Sequence, residues 1–356
     1  MGMRAVIFGP RSEKHIQDFL ALPGRIYVKE ELMQNEKEER AILKGTHILS
    51  HYFTITPILV YEDEKVVSRG IITVYPEDEF AFLGYFESKD NSAAAGLLFH
   101  TAFGLVRDMG LKGIVGPVDC SFWIKYRLKA NQFRGPHTGE PYNKEYYLRL
   151  WEENGFQVCE QYTSKRYRVV KNDEGSDKYM DRLAQKQSEG YEIVSPRARD
   201  FRKTLKEAYG LLIELYSSFP AYKRITEAEF RKQFKYLRHI LNYSMVKMAY
   251  FHGEAVGCFI SVPNFGNAIC GRVHSWQLLA LRARRKKPES YVMLHMGVDP
   301  KHQELVKIFA ETIRHELTIQ QVPSMGALTR TGISNKDYGE SRANYEYVLL
   351  EREVWK

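Results

Sequence analysis

The predicted order of strands and helices occurs twice along the chain, and this repeat limits the possible folds more than any other feature of the sequence. In the first half, β-rich runs at residues 54–61 and 66–75 flank an acidic turn, the pattern of a hairpin, and a third β run covers residues 80–87. Apolar residues at helical spacing predict a helix over residues 93–109. A buried strand is then expected at residues 113–118.

The second half has the same order of elements. A hairpin is predicted around His252 and Gly253, followed by a β run at residues 291–298, a helix at 304–320 and a strand at 326–330. Strands that alternate with crossover helices predict a mixed α/β fold, here with α+β mixed sheets. The recurrence predicts two copies of one domain type in tandem.

The length of the chain agrees with this arrangement. At 356 residues, it exceeds the size at which a single hydrophobic core usually stops growing. The segment 171–190 is polar and charged and contains one predicted helix, so it is interpreted as the connection. The predicted domains are therefore residues 1–170 and 191–356.

Net charge suggests partners without selecting one. The chain carries a formal charge of +8, and the only dense basic run is Arg282, Arg284, Arg285, Lys286 and Lys287. One interpretation of this run is a solvated loop or helix end, and another is an anchor for phosphates near a cofactor mouth. Nucleic acid is less favoured because no known nucleic-acid-binding motif accompanies the run.

The cysteines and the apolar runs bear on location and metal binding. Cys120, Cys159, Cys258 and Cys270 lie far apart without metal-site spacing, so reduced thiols and no bound metal are expected. The amino terminus has no signal-peptide pattern, and the longest apolar stretch, 93–106, is too short to span a bilayer. We therefore expect a cytoplasmic protein without a membrane partner.

Several sequence blocks resemble the GNAT superfamily, the N-acetyltransferase-like acyl-CoA fold. These blocks are EDEKVVSRGII at 62–72, FAFLGYFESKDNSAAAGLLFHTA at 80–102 and YYLRLWEENGF at 146–156. In addition, FLGYFES, GIVGPVD, GEPYNKEYY and VGCFISVPNF are similar to a bacterial family of two-domain GNAT-like proteins. The resemblance implies tandem GNAT-like acyl-CoA N-acyltransferase domains that use acetyl-CoA or another acyl-CoA as co-substrate. The acceptor would be an amine on a small molecule or a peptide.

The same resemblance implies where the CoA pyrophosphate would bind. GNAT proteins hold it with a glycine-rich loop and the following helix amino terminus. In the second half, the opening of that loop is matched by Val298, Lys301, His302 and Gln303, and a backbone N–H of Met296 or Val298 would be the oxyanion donor. The continuation at residues 304–308 has no glycine where the loop needs small residues, and residues 88–96 of the first half lack the leading Gln or Arg. Neither half carries the complete loop.

Candidate catalytic residues follow from strand position and from the resemblance. His295 alternates with Met296 on the predicted strand and has an intrinsic pKa suited to a base, although a histidine bonded in the core is the alternative. Glu87 lies on the corresponding strand in the first half. The alternative is that its carboxylate only interacts favourably with the dipole of the helix that starts nearby. Tyr338 matches the family's tyrosine acid, with surface packing as the alternative. Tyr146 and Tyr147 have the analogous place, or anchor their helix to the sheet.

The long segment 120–142, rich in aromatic residues and Arg, either borders a ligand cleft or covers the contact between the halves. Two further functions remain open. One is a non-catalytic ligand-binding or scaffold protein, and the other is transfer from an aminoacyl-tRNA. Hydrolase, zincin, dinucleotide and P-loop motifs are absent from the sequence. The oligomeric state is not indicated.

Overall fold

The structure is a computed structural model that describes residues 2–171, 176–270, 275–332 and 341–354. The strands are β1 (Met3–Ile7), β2 (Thr54–Glu62), β3 (Lys65–Val74), β4 (Phe80–Ser88), β5 (Gly113–Gly116), β6 (Leu128–Lys129), β7 (Gln157–Tyr167), β8 (Tyr191–Val194), β9 (Val246–Phe251), β10 (Glu254–Pro263), β11 (Tyr291–Val298), β12 (Ser324–Arg330) and β13 (Ser341–Glu353). They form one mixed sheet in the order β1-β2-β3-β4-β5-β13-β7-β12-β11-β10-β9-β8, with β6 paired to β13.

Helices cover the faces of this sheet. They are α1 (Glu13–Ala21), α2 (Pro23–Ile26), α3 (Glu36–Leu43), α4 (Ser92–Asp108), α5 (Tyr147–Glu153), α6 (Ser176–Ser188), α7 (Phe201–Leu215), α8 (Glu227–Phe234), α9 (Leu237–Ile240), α10 (Ser275–Arg284) and α11 (Leu305–Gln320). Short 3₁₀ turns lie at 198–200, 216–218, 243–245 and 300–302.

The two predicted strand-to-helix crossovers are confirmed. In the first half, β4 and β5 pair in parallel and α4 connects them; in the second half, β11 and β12 pair in parallel and α11 connects them. Both predicted hairpins are present as well. At the second one, His252 and Gly253 have φ angles of 48° and 86°, the left-handed conformation that tight hairpin turns require.

The last described strand is placed differently from a simple tandem. β13 lies between β5 of the first half and β7, while β7 in turn pairs with β12 of the second half. The sheet is therefore continuous through both halves, with strands shared across the predicted boundary. Local periodicity contains no information on such long-range pairing, so the sequence did not predict it. The domain limits given above remain a prediction.

Helix boundaries differ from the predictions where a capping residue intervenes. Residues 30–43 are a charged, helix-prone run, but α3 begins only at Glu36, because the Asn35 side chain accepts the Glu38 N–H and defines the amino end. Residues 227–240, for which the sequence predicts one helix, are divided into α8 and α9. Helix α10 was not predicted.

Candidate functional site

The open end of β4 in the first half is the candidate site. β4 and β5 pair at Phe80–Phe82, and Val118 N–H then donates to the Leu83 carbonyl at 2.9 Å. The backbone at Gly84 lies against the residues that follow β5, because an added Cβ there would be 1.9 Å from the Val118 carbonyl oxygen. Beyond it, Tyr85 has a φ of 50° and donates its N–H to the Asp119 carboxylate. The last residues of β4 therefore extend past β5, so that the two strands diverge.

Glu87 and Tyr147 meet at this divergence. The Tyr147 hydroxyl donates to Glu87 Oε2 at 2.6 Å and accepts the Ser88 N–H at 3.1 Å. The neighbouring Tyr146 hydroxyl donates to the Ser88 carbonyl at 2.8 Å. Tyr147 is only 1% exposed, and its ring packs edge-on against Phe86 at 5.2 Å. The two tyrosines thus anchor α5 to the sheet, and Tyr147 also contacts the candidate base.

Burial raises the pKa values of both groups. Burial raises the pKa of Glu87, while the nearby Arg69 and Lys125 charges oppose that rise. Burial and the Glu87 carboxylate raise the pKa of Tyr147 well above its usual value, so its hydroxyl stays protonated at neutral pH. The Tyr27 hydroxyl, whose pKa the same two causes raise, is buried beside Glu87 and Tyr147.

A cleft of about 550 Å³ reaches Tyr146 and Lys89, which are close neighbours in the chain of Tyr147 and Glu87. Its walls come from α2, the turn after β4 and the segment before α5, namely Arg25, Ile26, Glu31, Lys89, Asp90, Phe133, Tyr142, Asn143, Lys144, Glu145 and Tyr146. Lys144 is neutralised by Glu31 at 2.6 Å, and Asp90 pairs with Arg149. Arg25 and Lys89 form no ion pair within the described ranges, whereas Glu145 is the only wall carboxylate left without one there. The wall therefore carries three cations and three carboxylates, and Arg25 and Lys89 are the two cations without an ion pair in the described ranges.

The fit of an acyl-CoA to this cleft is partial. Arg25 and Lys89 supply cations suited to phosphates. The amino end of α4 does not offer its first N–H groups, because the Asn91 side chain accepts those of Ala93 and Ala94, each at 3.1 Å. The pyrophosphate contact typical of GNAT proteins is therefore already occupied by a side chain.

The second half also has diverging parallel strands. β11 pairs with β12 only at Tyr291–Met293, and residues 294–296 beyond that point are half-buried. His295 Nδ1 lies 2.9 Å from the Tyr216 hydroxyl. Burial, with a contribution from the Arg127 charge, lowers the pKa of His295 to about 4. The imidazole is therefore neutral at pH 7 and a weak base.

The other residues predicted for cofactor binding lie at the turn from β11 to α11. Val298 is buried, Met296 is half-buried against the core, and Lys301 and Gln303 are exposed. His302 Nδ1 lies 2.6 Å from the Tyr191 hydroxyl, so its ring is already engaged.

The Lys301 N–H donates to the Asp299 carboxylate at 2.9 Å, which caps the turn. Tyr338 lies outside the described residues, as does the segment 334–340, for which the sequence predicts a short helix. The predicted site residues thus lie in two separate places. Glu87 is in the first half, whereas His295 and the five residues predicted for cofactor binding are on β11 and the turn after it in the second half.

The long segment 120–142 contacts the second half with one part and lines the cleft with another. Trp123 donates its indole N–H to the Lys223 carbonyl at 2.7 Å, and the ring packs against Phe230, so this part covers the contact between the halves. Phe133 and Tyr142 line the cleft.

Sequence reasoning missed Tyr27, Arg69 and Lys125 around Glu87. A charged residue in the middle of the β-rich run VVSRGII was a usable signal for Arg69, since a charge in a buried strand needs a partner. Arg69 is 1% exposed and pairs with Glu39 at 2.9 Å. Tyr27 gave no such signal.

The described residues contain neither a cluster of metal ligands nor a membrane-spanning helix. No group of three or more His, Cys, Asp and Glu side chains in those ranges could hold a metal ion. No helix there is both long and apolar enough to cross a membrane.

Comparison with known proteins identifies the fold. No protein-family model and no curated protein matches the chain. Among solved structures, a tandem GNAT protein from the clavulanic acid biosynthesis pathway is similar over 100% of this chain and 99% of its own, with a TM-score of 0.53 and 10% identity.

Two further structures are similar. A probable N-acyltransferase from Enterococcus faecalis matches 99% of this chain and 73% of its own, with a TM-score of 0.51 and 10% identity. A fungal GCN5-related glucosamine N-acetyltransferase region matches 99% of this chain and 38% of its own, with a TM-score of 0.52 and 14% identity. Together with the two crossovers, these likenesses show that the chain has the tandem GNAT fold.

Proposed function

We propose that the protein is an N-acyltransferase that moves an acyl group from a CoA thioester to an amine, with its active site at the open end of β4. The observation that carries this proposal is the contact between Glu87 and Tyr147 at 2.6 Å, close along the chain to residues that line the cleft and at the point where β4 leaves β5. A carboxylate and a protonated phenol in contact are a base and an acid suited to this reaction.

Proton movement follows from the geometry. The amine nitrogen attacks the thioester carbonyl carbon, the C–N bond forms and the C–S bond breaks. Glu87 takes the proton that the amine loses, and Tyr147 gives its hydroxyl proton to the leaving thiolate. The hydrogen bond between them then returns a proton from Glu87 to Tyr147, so the net change moves one proton from amine to thiol.

The raised pKa of Glu87 suits this role, since a general base works best when its pKa is near the operating pH. The Ser88 N–H and the packing against Phe86 hold the Tyr147 ring and hydroxyl in one orientation. Arg25 and Lys89 are the residues that would meet the phosphates of CoA.

The test is an acyl-transfer assay that detects free thiol, with acetyl-, succinyl- and longer acyl-CoAs and a panel of amines. Glu87→Gln keeps the size of the side chain and removes the base, so turnover should fall by about 10²–10⁴-fold. His295→Gln is the matched control from the second half and should stay within a few-fold of the native rate. A large loss in the control with little loss in Glu87→Gln would place the chemistry in the second half.

The capping of α4 by Asn91 favours a second candidate, a protein that binds a ligand without catalysis. This candidate predicts a rise in melting temperature with acyl-CoA but no thiol release with any amine. The third possibility, transfer from an aminoacyl-tRNA, predicts tRNA binding that weakens with salt and no stabilisation by acyl-CoA.

A further inference from the structure

Helix α10 presents an apolar stripe to solvent. Trp276 and Leu279 are 68% and 65% exposed, and Ala280 and Ala283 are exposed as well. Positions 276, 279, 280 and 283 follow the spacing i, i+3, i+4, i+7, which places them on one side of a helix. Leu281 on the other side is 5% exposed and belongs to the core. The outward face of α10 is thus apolar, the reverse of an ordinary surface helix.

Cations flank this stripe on both sides. Arg282 and Arg284 are the chain neighbours of Ala283, so they lie on either side of the stripe, and both are exposed. Lys286 and Lys287 extend the positive charge past the end of the helix and are also exposed. The exposed Glu289 carboxylate lies 3.5 Å from Arg284. Four exposed cations against one carboxylate leave a strongly positive rim.

We propose that α10 docks on an anionic phospholipid surface, with Trp276 and Leu279 inserted at the headgroup level and the basic rim facing lipid phosphates. Exposed apolar residues bordered by Arg and Lys are the pattern of a helix that lies in the membrane interface. Long basic side chains can keep their charges at the headgroups while their stems cover apolar surface. Trp is the side chain that favours this boundary.

The chemistry of the stripe selects lipid over nucleic acid. Phosphates of a nucleic acid would account for the cations, and Trp276 alone could stack on a base. Leu279, Ala280 and Ala283 have no stacking surface, yet they occupy the centre of the exposed face. A bilayer interface uses both the apolar centre and the basic rim. This surface departs from the expectation, drawn from the sequence, that the protein has no membrane partner.

The experiment is flotation of the full chain with vesicles of phosphatidylcholine, with or without about 30% phosphatidylserine, at about 0.1 M and 1 M salt. We expect binding to the anionic vesicles at low salt and little binding to phosphatidylcholine alone. Trp276→Ala with Leu279→Ala should weaken binding about tenfold or more. Arg282→Gln with Arg284→Gln should weaken it by a similar factor and reduce its salt dependence.

Matched controls use exposed residues elsewhere. Ile319→Ala, at a position 63% exposed on α11, and Arg107→Gln with Arg199→Gln should leave vesicle binding unchanged. Trp276→Phe should keep binding but lose the quenching of tryptophan emission by brominated lipid. All variants should unfold at the native temperature, since the changed side chains are exposed.

Absence of binding to anionic vesicles would overturn the proposal. So would binding that Trp276→Ala with Leu279→Ala leaves intact, because the cations alone would then suffice. Tight tRNA binding that depends on Arg282 and Arg284 but not on Trp276, in the absence of vesicle binding, would assign the surface to nucleic acid instead.

Discussion

Replacing Tyr147 by Phe tests the contact at the proposed active site. The substitution keeps the ring that packs on Phe86 and removes the hydroxyl that donates to Glu87 and accepts from Ser88 N–H. A buried group that loses its partner costs about 1–3 kcal/mol, and hydrogen bonds to charged groups lie at the upper end. With two such groups, we expect the free energy of unfolding to fall by about 2–6 kcal/mol at pH 8.

The effect should depend on pH with a definite sign. The Tyr147 hydrogen bond lowers the pKa of Glu87, so its loss raises that pKa further above the value of the unfolded chain. Stability from a carboxyl with a raised folded pKa is present below the unfolded pKa and is lost as the pH rises through the folded pKa. The variant loses more of it than the native chain, so the difference between them should grow from pH 5 to pH 8.

The assay is urea unfolding followed by circular dichroism at both pH values. Tyr146→Phe is the control, because its half-buried hydroxyl donates only to the Ser88 carbonyl, and its cost should be about 1 kcal/mol. An equal cost for the two variants, or a Tyr147→Phe cost that does not change with pH, would refute the contact with an ionising Glu87.

Three further outcomes are expected. Glu39→Gln leaves the buried Arg69 charge without its ion pair and should lower the free energy of unfolding by about 3–5 kcal/mol in the same urea assay. Glu87→Gln removes a carboxyl whose pKa is raised, so the variant should be more stable than the native chain at pH 8 and no more stable at pH 4, as thermal unfolding would show. Gly84→Ala places a Cβ 1.9 Å from the Val118 carbonyl oxygen, so β4 can no longer lie against residue 118. The variant should therefore be insoluble or lose its cooperative unfolding transition.

Much of the fold could be predicted because its local signals are strong. The turn at residues 62–65 and the pair His252 and Gly253 mark hairpins, and the period of α4 and α11 marks crossover helices. The position of β13 could not be predicted, since strand pairing between distant segments leaves no periodic trace. The late start of α3 depends on Asn35, a cap that lies inside a charged, helix-prone run.

The candidate site likewise has features that the sequence indicates and features that depend on tertiary packing. Glu87 and Tyr147 could each be named from the sequence by position, but only the structure brings Tyr147 to within 2.6 Å of the carboxylate. His295 is a candidate base from the sequence because the ordinary pKa of histidine suits that role. Its burial beside Arg127, which lowers the pKa, depends on how the two halves meet. Residues from separate elements, such as Tyr27 and Arg25, converge on the site through tertiary packing alone.

The most direct test of the account is the affinity for acetyl-CoA measured by titration calorimetry on two double variants that add negative charge at different sites. Arg25→Glu with Lys89→Glu changes the cleft of the first half, and Lys301→Glu with Gln303→Glu changes the exposed turn of the second half. The account predicts that the first variant binds about tenfold or more weakly and that the second binds like the native chain. No heat of binding with the native chain, or a loss of affinity confined to the second variant, would contradict it.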